Sequence, residues 1–161
     1  MALLVEDGSG IAGANSYVSV VELRAFAGDR GVILPAQDSD VEPLLVLGCD
    51  FLELKSYIGE RFSDEQGLSW PRTDEYDPEW AYPNTIPANL KKAQCLLSVE
   101  AMNGPLSTAT RPGDYIQTKI DVLYIKYATD QSRSAGLRYR AIDDLLRDLV
   151  DTYKLFETIR A

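Results

Sequence analysis

The chain has 161 residues, 45% of them hydrophobic, which suits one ordinary domain that folds without disulfides or a structural metal. Sixteen basic and twenty-five acidic residues give a net charge of −9, which disfavours sequence-wide binding to nucleic-acid backbones. Histidine is absent and no apolar run reaches the roughly 20 residues of a membrane span, so we expect a soluble intracellular protein that is not an enzyme and has no membrane partner.

A glycine-rich segment, 8–13, follows a short apolar run and satisfies the G-x-G-x-x-G pattern. In a dinucleotide site this pattern opens a helix within a βαβ unit, and an acidic residue ends a second buried strand about 20 residues later. Neither condition is met, because the next segment, 19–27, has the apolar spacing of a short helix. We therefore expect an N-terminal extended arm that bends at its glycines.

Two helices are predicted in the first third of the chain. The first begins near Ser19 and ends at Gly28. Ser39 and Glu42 form a capping-box pattern ahead of the second helix, and Pro43 is tolerated because it falls in the first turn.

The second helix is predicted to end between Lys55 and Ile58, and residues 59–86 form a long irregular loop that contains both tryptophans. A loop of this length must pack against the helices to persist, and we expect Trp70 to hold it there. Four acidic residues of the loop lack the spacing of a calcium site and are expected to form a solvated surface without a metal: Asp74, Glu75, Asp77 and Glu79.

A third helix is predicted from Pro87 to the stop pattern 103–105. Lys91 and Lys92 lie near its start, where cations oppose the helix dipole, so we expect a partner surface or an acidic neighbour to compensate them. The period-two pattern over 115–127 then predicts a strand or a hairpin. Its open edges need a cover, and a neighbouring copy of the chain would provide one.

The last part of the chain is predicted to be a polar link, 129–136, followed by a long amphipathic helix, 137–159. Residues 1–128 then form the core of a single domain, and the terminal helix is a docking element for a partner. The fold class is mainly α: a small helical bundle with a β-hairpin insertion, an N-terminal extended arm and a long C-terminal helix. The predicted docking side chains are Leu145, Leu149, Tyr153, Phe156 and Ile159.

Two short motifs carry a resemblance to a known family. Val5-Glu6-Asp7-Gly8 leads into Ala14-Asn15-Ser16-Tyr17-Val18, and Leu68-Ser69-Trp70-Pro71-Arg72 follows further along the chain. In this order they resemble the head-tail connector, or adaptor, proteins of tailed bacteriophages, a family also labelled DnaT-like single-stranded DNA binding. The resemblance extends from about residue 2 to residue 102. It implies an architectural signature made of Asn15, Ser16, Tyr17, Trp70, Pro71 and Arg72.

The resemblance implies a structural virion protein, assembled in the host cytoplasm, that forms a ring between the portal and the tail. Its partners are other copies of the chain, usually as a dodecamer, the portal protein and a tail-side neck or terminator protein. The genome passes through the ring with only transient, non-specific contact, which an acidic lumen favours. We assign no catalytic, cofactor-binding or metal-ligating residues.

The second family label leaves an alternative open, a single-stranded DNA-binding protein of phage replication. Such a protein needs a local surface that is basic and aromatic. The sequence offers one candidate, composed of Arg133, Arg138, Tyr139 and Arg140. A small enzyme or regulatory binding protein is a third hypothesis, against which the missing histidine counts most.

Overall fold

A computed structural model describes residues 2–74, 85–106, 118–120, 123–125 and 139–151. The described part is mostly helical, as the hydrophobic periodicity predicts. Its helices are α1 (Val20–Gly28), α2 (Asp38–Glu53), α3 (Ala88–Ala101) and α4 (Arg140–Leu146). Among these helices, none combines the length and the apolar character that crossing a membrane requires.

Two short pairs of antiparallel strands accompany the helices. β1 (Glu60–Arg61) pairs with β2 (Arg72–Thr73), and β3 (Thr118–Ile120) pairs with β4 (Leu123–Ile125). The second pair confirms the strands predicted from the period-two pattern. The first pair lies in the long loop and was not predicted, because a strand of two residues has no readable periodicity.

The core is centred on the contact between α2 and α3. Gly48 of α2 allows the close approach, because a Cβ at this position would lie 2.7 Å from Ser98 Oγ and 3.1 Å from the carbonyl oxygen of Gln94. The four helices share one buried cluster of apolar side chains, which includes Leu23, Leu45, Leu52, Leu90, Leu97, Ile142 and Leu146.

The N-terminal segment, predicted as an extended arm, is part of the folded body. Val5 forms a parallel bridge with Ser16, and the N–H of Glu6 donates to the Ser16 carbonyl at 2.8 Å. Tyr17 and Val18 are at most 1% exposed. The segment thus folds back on itself and buries its second half, so the structure does not support the predicted extended arm.

The capping box lies at α1 and not, as predicted, at α2. The hydroxyl of Ser19 accepts a hydrogen bond from the N–H of Glu22 at 3.2 Å, and the Glu22 carboxylate accepts one from the N–H of Ser19 at 2.7 Å. The Ser-x-x-Glu spacing occurs at both helices, but α2 begins at Asp38, so Ser39 lies inside it. Pro43 therefore occupies the second turn, where it removes one helical donor.

α4 is shorter than the predicted terminal helix, 137–159. It ends at Leu146, and Val150 then forms an antiparallel bridge with Tyr57. Bridging to another segment takes the backbone out of helical geometry, so a helix that continues through residue 151 is wrong. The rest of that predicted helix, the link and the boundary at 128 lie outside the described residues.

We expect Gly48→Ala to destabilise the fold, because its methyl group would push α2 away from Ser98 on α3. The overpacking should exceed the gain in helix propensity and lower the free energy of unfolding by roughly 1–2 kcal/mol. Chemical denaturation measures this change. Gly28→Ala is the matched control, because nothing lies within 4 Å of its added Cβ. Equal stability of the two variants would contradict the close helix contact.

Candidate functional site

Tyr17 is the point at which four segments of the chain meet. Its ring is fully buried. Its N–H donates to Gln94 Oε1 on α3 at 2.9 Å, and its hydroxyl donates to Glu53 Oε1 on α2 at 2.5 Å. The same hydroxyl accepts a hydrogen bond from the N–H of Trp70 at 3.1 Å. One tyrosine therefore connects the N-terminal segment, both central helices and the long loop.

The carboxylate of Glu53 extends this connection. Its second oxygen accepts hydrogen bonds from the N–H of Ser69 at 2.8 Å and from the Ser69 hydroxyl at 2.7 Å. Burial, together with the negative charge of Glu53, raises the pKa of Tyr17 far above its ordinary value. The phenol therefore stays protonated at physiological pH and remains a donor to Glu53.

The remaining signature residues in the long loop, Trp70, Pro71 and Arg72, hold that loop in place. The Trp70 ring is fully buried and meets the Tyr57 ring edge-on, with centroids 5.9 Å apart. Pro71 follows a cis peptide bond, and its carbonyl accepts a hydrogen bond from the side chain of Gln66 at 3.1 Å. The guanidinium of Arg72 donates to three backbone carbonyls, those of Ile58, Gly59 and Ser69.

Asn15 and Ser16 also have structural roles. The Asn15 side chain accepts a hydrogen bond from the N–H of Leu4 at 2.8 Å and donates to the Ala2 carbonyl at 3.1 Å. The hydroxyl of Ser16 accepts a hydrogen bond from the buried amide of Gln94 at 2.8 Å. All six signature residues thus make contacts within the chain, and Gln94, which the sequence pattern does not single out, bonds to two of them, Ser16 and Tyr17.

The glycine-rich segment 8–13 folds around a carboxylate from its own chain. Glu6 is fully buried, and its two oxygens accept hydrogen bonds from the backbone N–H groups of Gly8, Gly10 and Ile11 at 2.6–2.9 Å. Converging N–H groups of this kind form an anion site. Because Glu6 already occupies it, the site does not offer these donors to a nucleotide phosphate.

The structure describes two of the five predicted docking side chains. Leu149 is 1% exposed and belongs to the core cluster, and Leu145 is partly buried against it. Both therefore contribute to the packing of the chain itself. Tyr153, Phe156 and Ile159 lie outside the described residues, so their docking role stays a prediction.

The predicted basic and aromatic surface is only partly described. The ring of Tyr139 packs edge-on against Phe51, with centroids 5.4 Å apart, and Arg140 is exposed at the first position of α4. Arg133 and Arg138 lie outside the described residues. The structure therefore does not show these four side chains as one surface.

A different basic and aromatic site is a shallow groove of about 400 Å³ beside α1 and α3. Its most buried lining residues are Val18 and Cys95, which are at most 5% exposed. Phe26 provides an aromatic ring. The charged lining consists of three cations and two carboxylates: Arg30, Lys91, Lys92, Glu22 and Asp29.

The charges in this groove are unevenly paired. Lys91 Nζ lies 3.1 Å from Glu22 Oε1, so an acidic neighbour compensates this lysine, as predicted. Arg30 contacts Phe26 instead, with its Cζ atom 3.5 Å from the ring centroid and its Nη1 atom donating to the Phe26 carbonyl at 2.9 Å. Within the described ranges, no carboxylate forms an ion pair with Arg30 or Lys92.

Protonation in the groove follows from these contacts. Partial burial raises the pKa of Glu22, but the hydrogen bonds from Ser19 and the charge of Lys91 outweigh burial and leave the pKa below its ordinary value. Burial, with a smaller effect of Glu22, raises the pKa of Cys95 to about 11. At neutral pH the groove therefore has an ionised Glu22 and a protonated, unreactive thiol.

The structure describes only one of the four acidic residues of the long loop. Asp74 is described, whereas Glu75, Asp77 and Glu79 lie outside the described residues. In the part of the chain that the structure describes, no group of three or more cysteine or carboxylate side chains is placed to hold a metal ion.

We expect Tyr17→Phe to lower the free energy of unfolding by about 1–3 kcal/mol, because half-buried Glu53 and the buried N–H of Trp70 lose a hydrogen-bond partner. Tyr139→Phe is the matched control, since no hydrogen bond of its hydroxyl occurs among the described residues and it lies at the edge of the core. Urea denaturation of both variants compares them. A Tyr17→Phe protein as stable as the control would show that the connection through Tyr17 contributes little.

The comparisons with known proteins give one family. Neither a curated protein nor a solved structure matches the chain. A family model described as "Putative DnaT-like ssDNA binding protein" matches residues 1–161, which is the whole chain. The chain therefore belongs to this DnaT-like family.

Proposed function

We propose that the chain binds single-stranded DNA in the groove beside α1 and α3. The observation that carries this proposal is a groove that combines the ring of Phe26, in contact with Arg30, with a second cation, Lys92, and neither cation pairs with a described carboxylate. Single-stranded nucleic acid stacks its bases on flat side chains and its phosphates attract cations, so it matches both features. The description of the family supports the same class of ligand.

The net charge of −9 restricts this binding to a small footprint. A phosphate backbone that extended beyond the groove would meet an acidic surface and be repelled. We therefore expect weak binding with few phosphate contacts. Each contact makes the affinity fall with salt, so a small footprint gives a shallow salt dependence.

The second candidate function is the head-tail adaptor that the sequence resemblance implies, a ring between portal and tail in the virion. The observation that favours an assembly is an outer face of α2 that is apolar apart from exposed Asp50. Pro43 and Leu47 of α2 and Leu54, which directly follows the helix, are exposed at spacings that place them on one side, with Leu54 75% and Leu47 47% exposed. Exposed apolar patches of this kind mark protein interfaces. Under this proposal a second copy of the chain covers the face, and an acidic lumen suits DNA passage.

For the DNA proposal, we expect Lys92→Glu to weaken binding of a fluorescently labelled oligothymidylate roughly tenfold to thirtyfold at low ionic strength. The substitution replaces an attraction of about 1 kcal/mol with a repulsion of similar size. Fluorescence anisotropy gives the dissociation constants. Arg147→Glu is the matched control, because it changes the net charge equally at a side chain that is 76% exposed and does not line the groove. Equal losses in both variants would contradict binding at the groove.

For the adaptor proposal, we expect the purified chain to form oligomers at high concentration and Leu47→Lys with Leu54→Lys to keep it monomeric. Two charges at an apolar contact between copies would remain unpaired on burial. Light scattering after size-exclusion chromatography measures the mass. Val21→Lys, at a side chain that is 77% exposed on α1, is the control. A wild-type chain that stays monomeric at every concentration would count against the ring.

A further inference from the structure

Arg30 is held over the Phe26 ring in a way that leaves it available to a ligand. Its guanidinium carbon lies 3.5 Å from the ring centroid, which is the separation of a stacked pair. The hydrogen bond from its Nη1 atom to the Phe26 carbonyl, at 2.9 Å, fixes this position. The residue is nevertheless exposed. The guanidinium thus contacts the ring while the residue as a whole remains exposed to solvent.

The other cations of this region differ from Arg30. Arg24 pairs with Asp38 at 2.7 Å, and Lys91 pairs with Glu22 at 3.1 Å. An arginine paired with a carboxylate offers less charge to a phosphate, whereas an arginine stacked on a ring keeps its charge and presents a flat surface.

We propose that Arg30, supported by Phe26, is the stacking platform for one unpaired nucleobase, and that Lys92 binds the adjacent phosphate. This inference rests on the proposed DNA-binding function and specifies its site. Guanidinium planes stack on unpaired bases in single-stranded nucleic acids. A base in a duplex is covered on both faces by its neighbours, so the platform selects single strands.

The charge balance of the groove agrees with a ligand unit of one base and one phosphate. With Lys91 and Glu22 paired, the remaining lining charges are those of Arg30, Lys92 and Asp29. Two cations and one carboxylate leave one positive charge, which matches one phosphate. The logarithm of the affinity should then fall with the logarithm of the salt concentration with a slope of about −0.7, the value for one contact to a single strand.

The test compares two labelled oligonucleotides of equal length and charge, an oligothymidylate and an abasic strand with the same phosphates. We expect the wild-type chain to bind the oligothymidylate about fivefold or more tightly than the abasic strand, which is the lower end of base stacking. Arg30→Lys keeps the positive charge but removes the flat surface. It should bring the ratio of the two affinities close to one.

Two further variants keep the result interpretable. Phe26→Leu retains apolar packing and removes the ring that supports Arg30, so it should also reduce the ratio. Lys92→Glu should weaken both oligonucleotides equally and preserve the ratio. Circular dichroism shows that each variant is folded, and Phe26→Leu still tests the platform if Arg30→Lys does not fold.

The possible results distinguish the stacking platform from DNA binding at the groove. If wild-type chain binds both strands equally, or if Arg30→Lys retains the full preference for bases, the stacking platform is wrong and DNA binding at the groove stands. If the wild-type chain binds neither strand, both proposals are overturned. A preference for bases that disappears in Arg30→Lys and persists in Lys92→Glu supports both.

Discussion

The structure depends on the placement of a single tyrosine. Tyr17 has its backbone bonded to Gln94 and its hydroxyl shared between Glu53 and Trp70. These groups are buried or half-buried, and a buried polar group without a partner costs free energy. The network is therefore stable only when all of its members are in place together. It requires the N-terminal segment, α2, the long loop and α3 to adopt one mutual arrangement.

Much of the helical body could be predicted from the sequence, because it depends on local patterns. α1 begins after Ser19, and α3 begins after Pro87 and ends just before the Asn-Gly-Pro stop, as apolar spacing and helix signals indicate. The end of α4 could not be predicted in this way. Its apolar positions continue at helical spacing, and the chain leaves the helix to bridge with Tyr57, a residue far away in sequence.

For the candidate site as well, features that depend on neighbouring residues could be predicted and contacts between distant segments could not. The signature motifs can be recognised in the sequence. Their polar partners, Glu53 and Gln94, cannot, because they lie on helices whose pattern predicts only a buried face. The groove could not be predicted, because Phe26 lies near the end of α1, Arg30 just after that helix, and Lys92 near the start of α3. One feature of the sequence indicates this region. Two lysines near a helix start oppose the helix dipole and favour an acidic neighbour, and the structure provides one for Lys91, which pairs with Glu22.

The Glu6 carboxylate has a consequence for interpreting glycine-rich motifs in other proteins. A G-x-G-x-x-G pattern found by text search is commonly assigned to a cofactor, yet here an acidic residue two positions before the first glycine neutralises the loop from within. In such a loop the backbone N–H groups bind a carboxylate of the same chain. In a dinucleotide-binding fold they bind a phosphate of the ligand instead. An acidic residue at that offset, followed by a bridge between the two ends of the loop, is a simple criterion for separating structural glycine loops from those that bind phosphate.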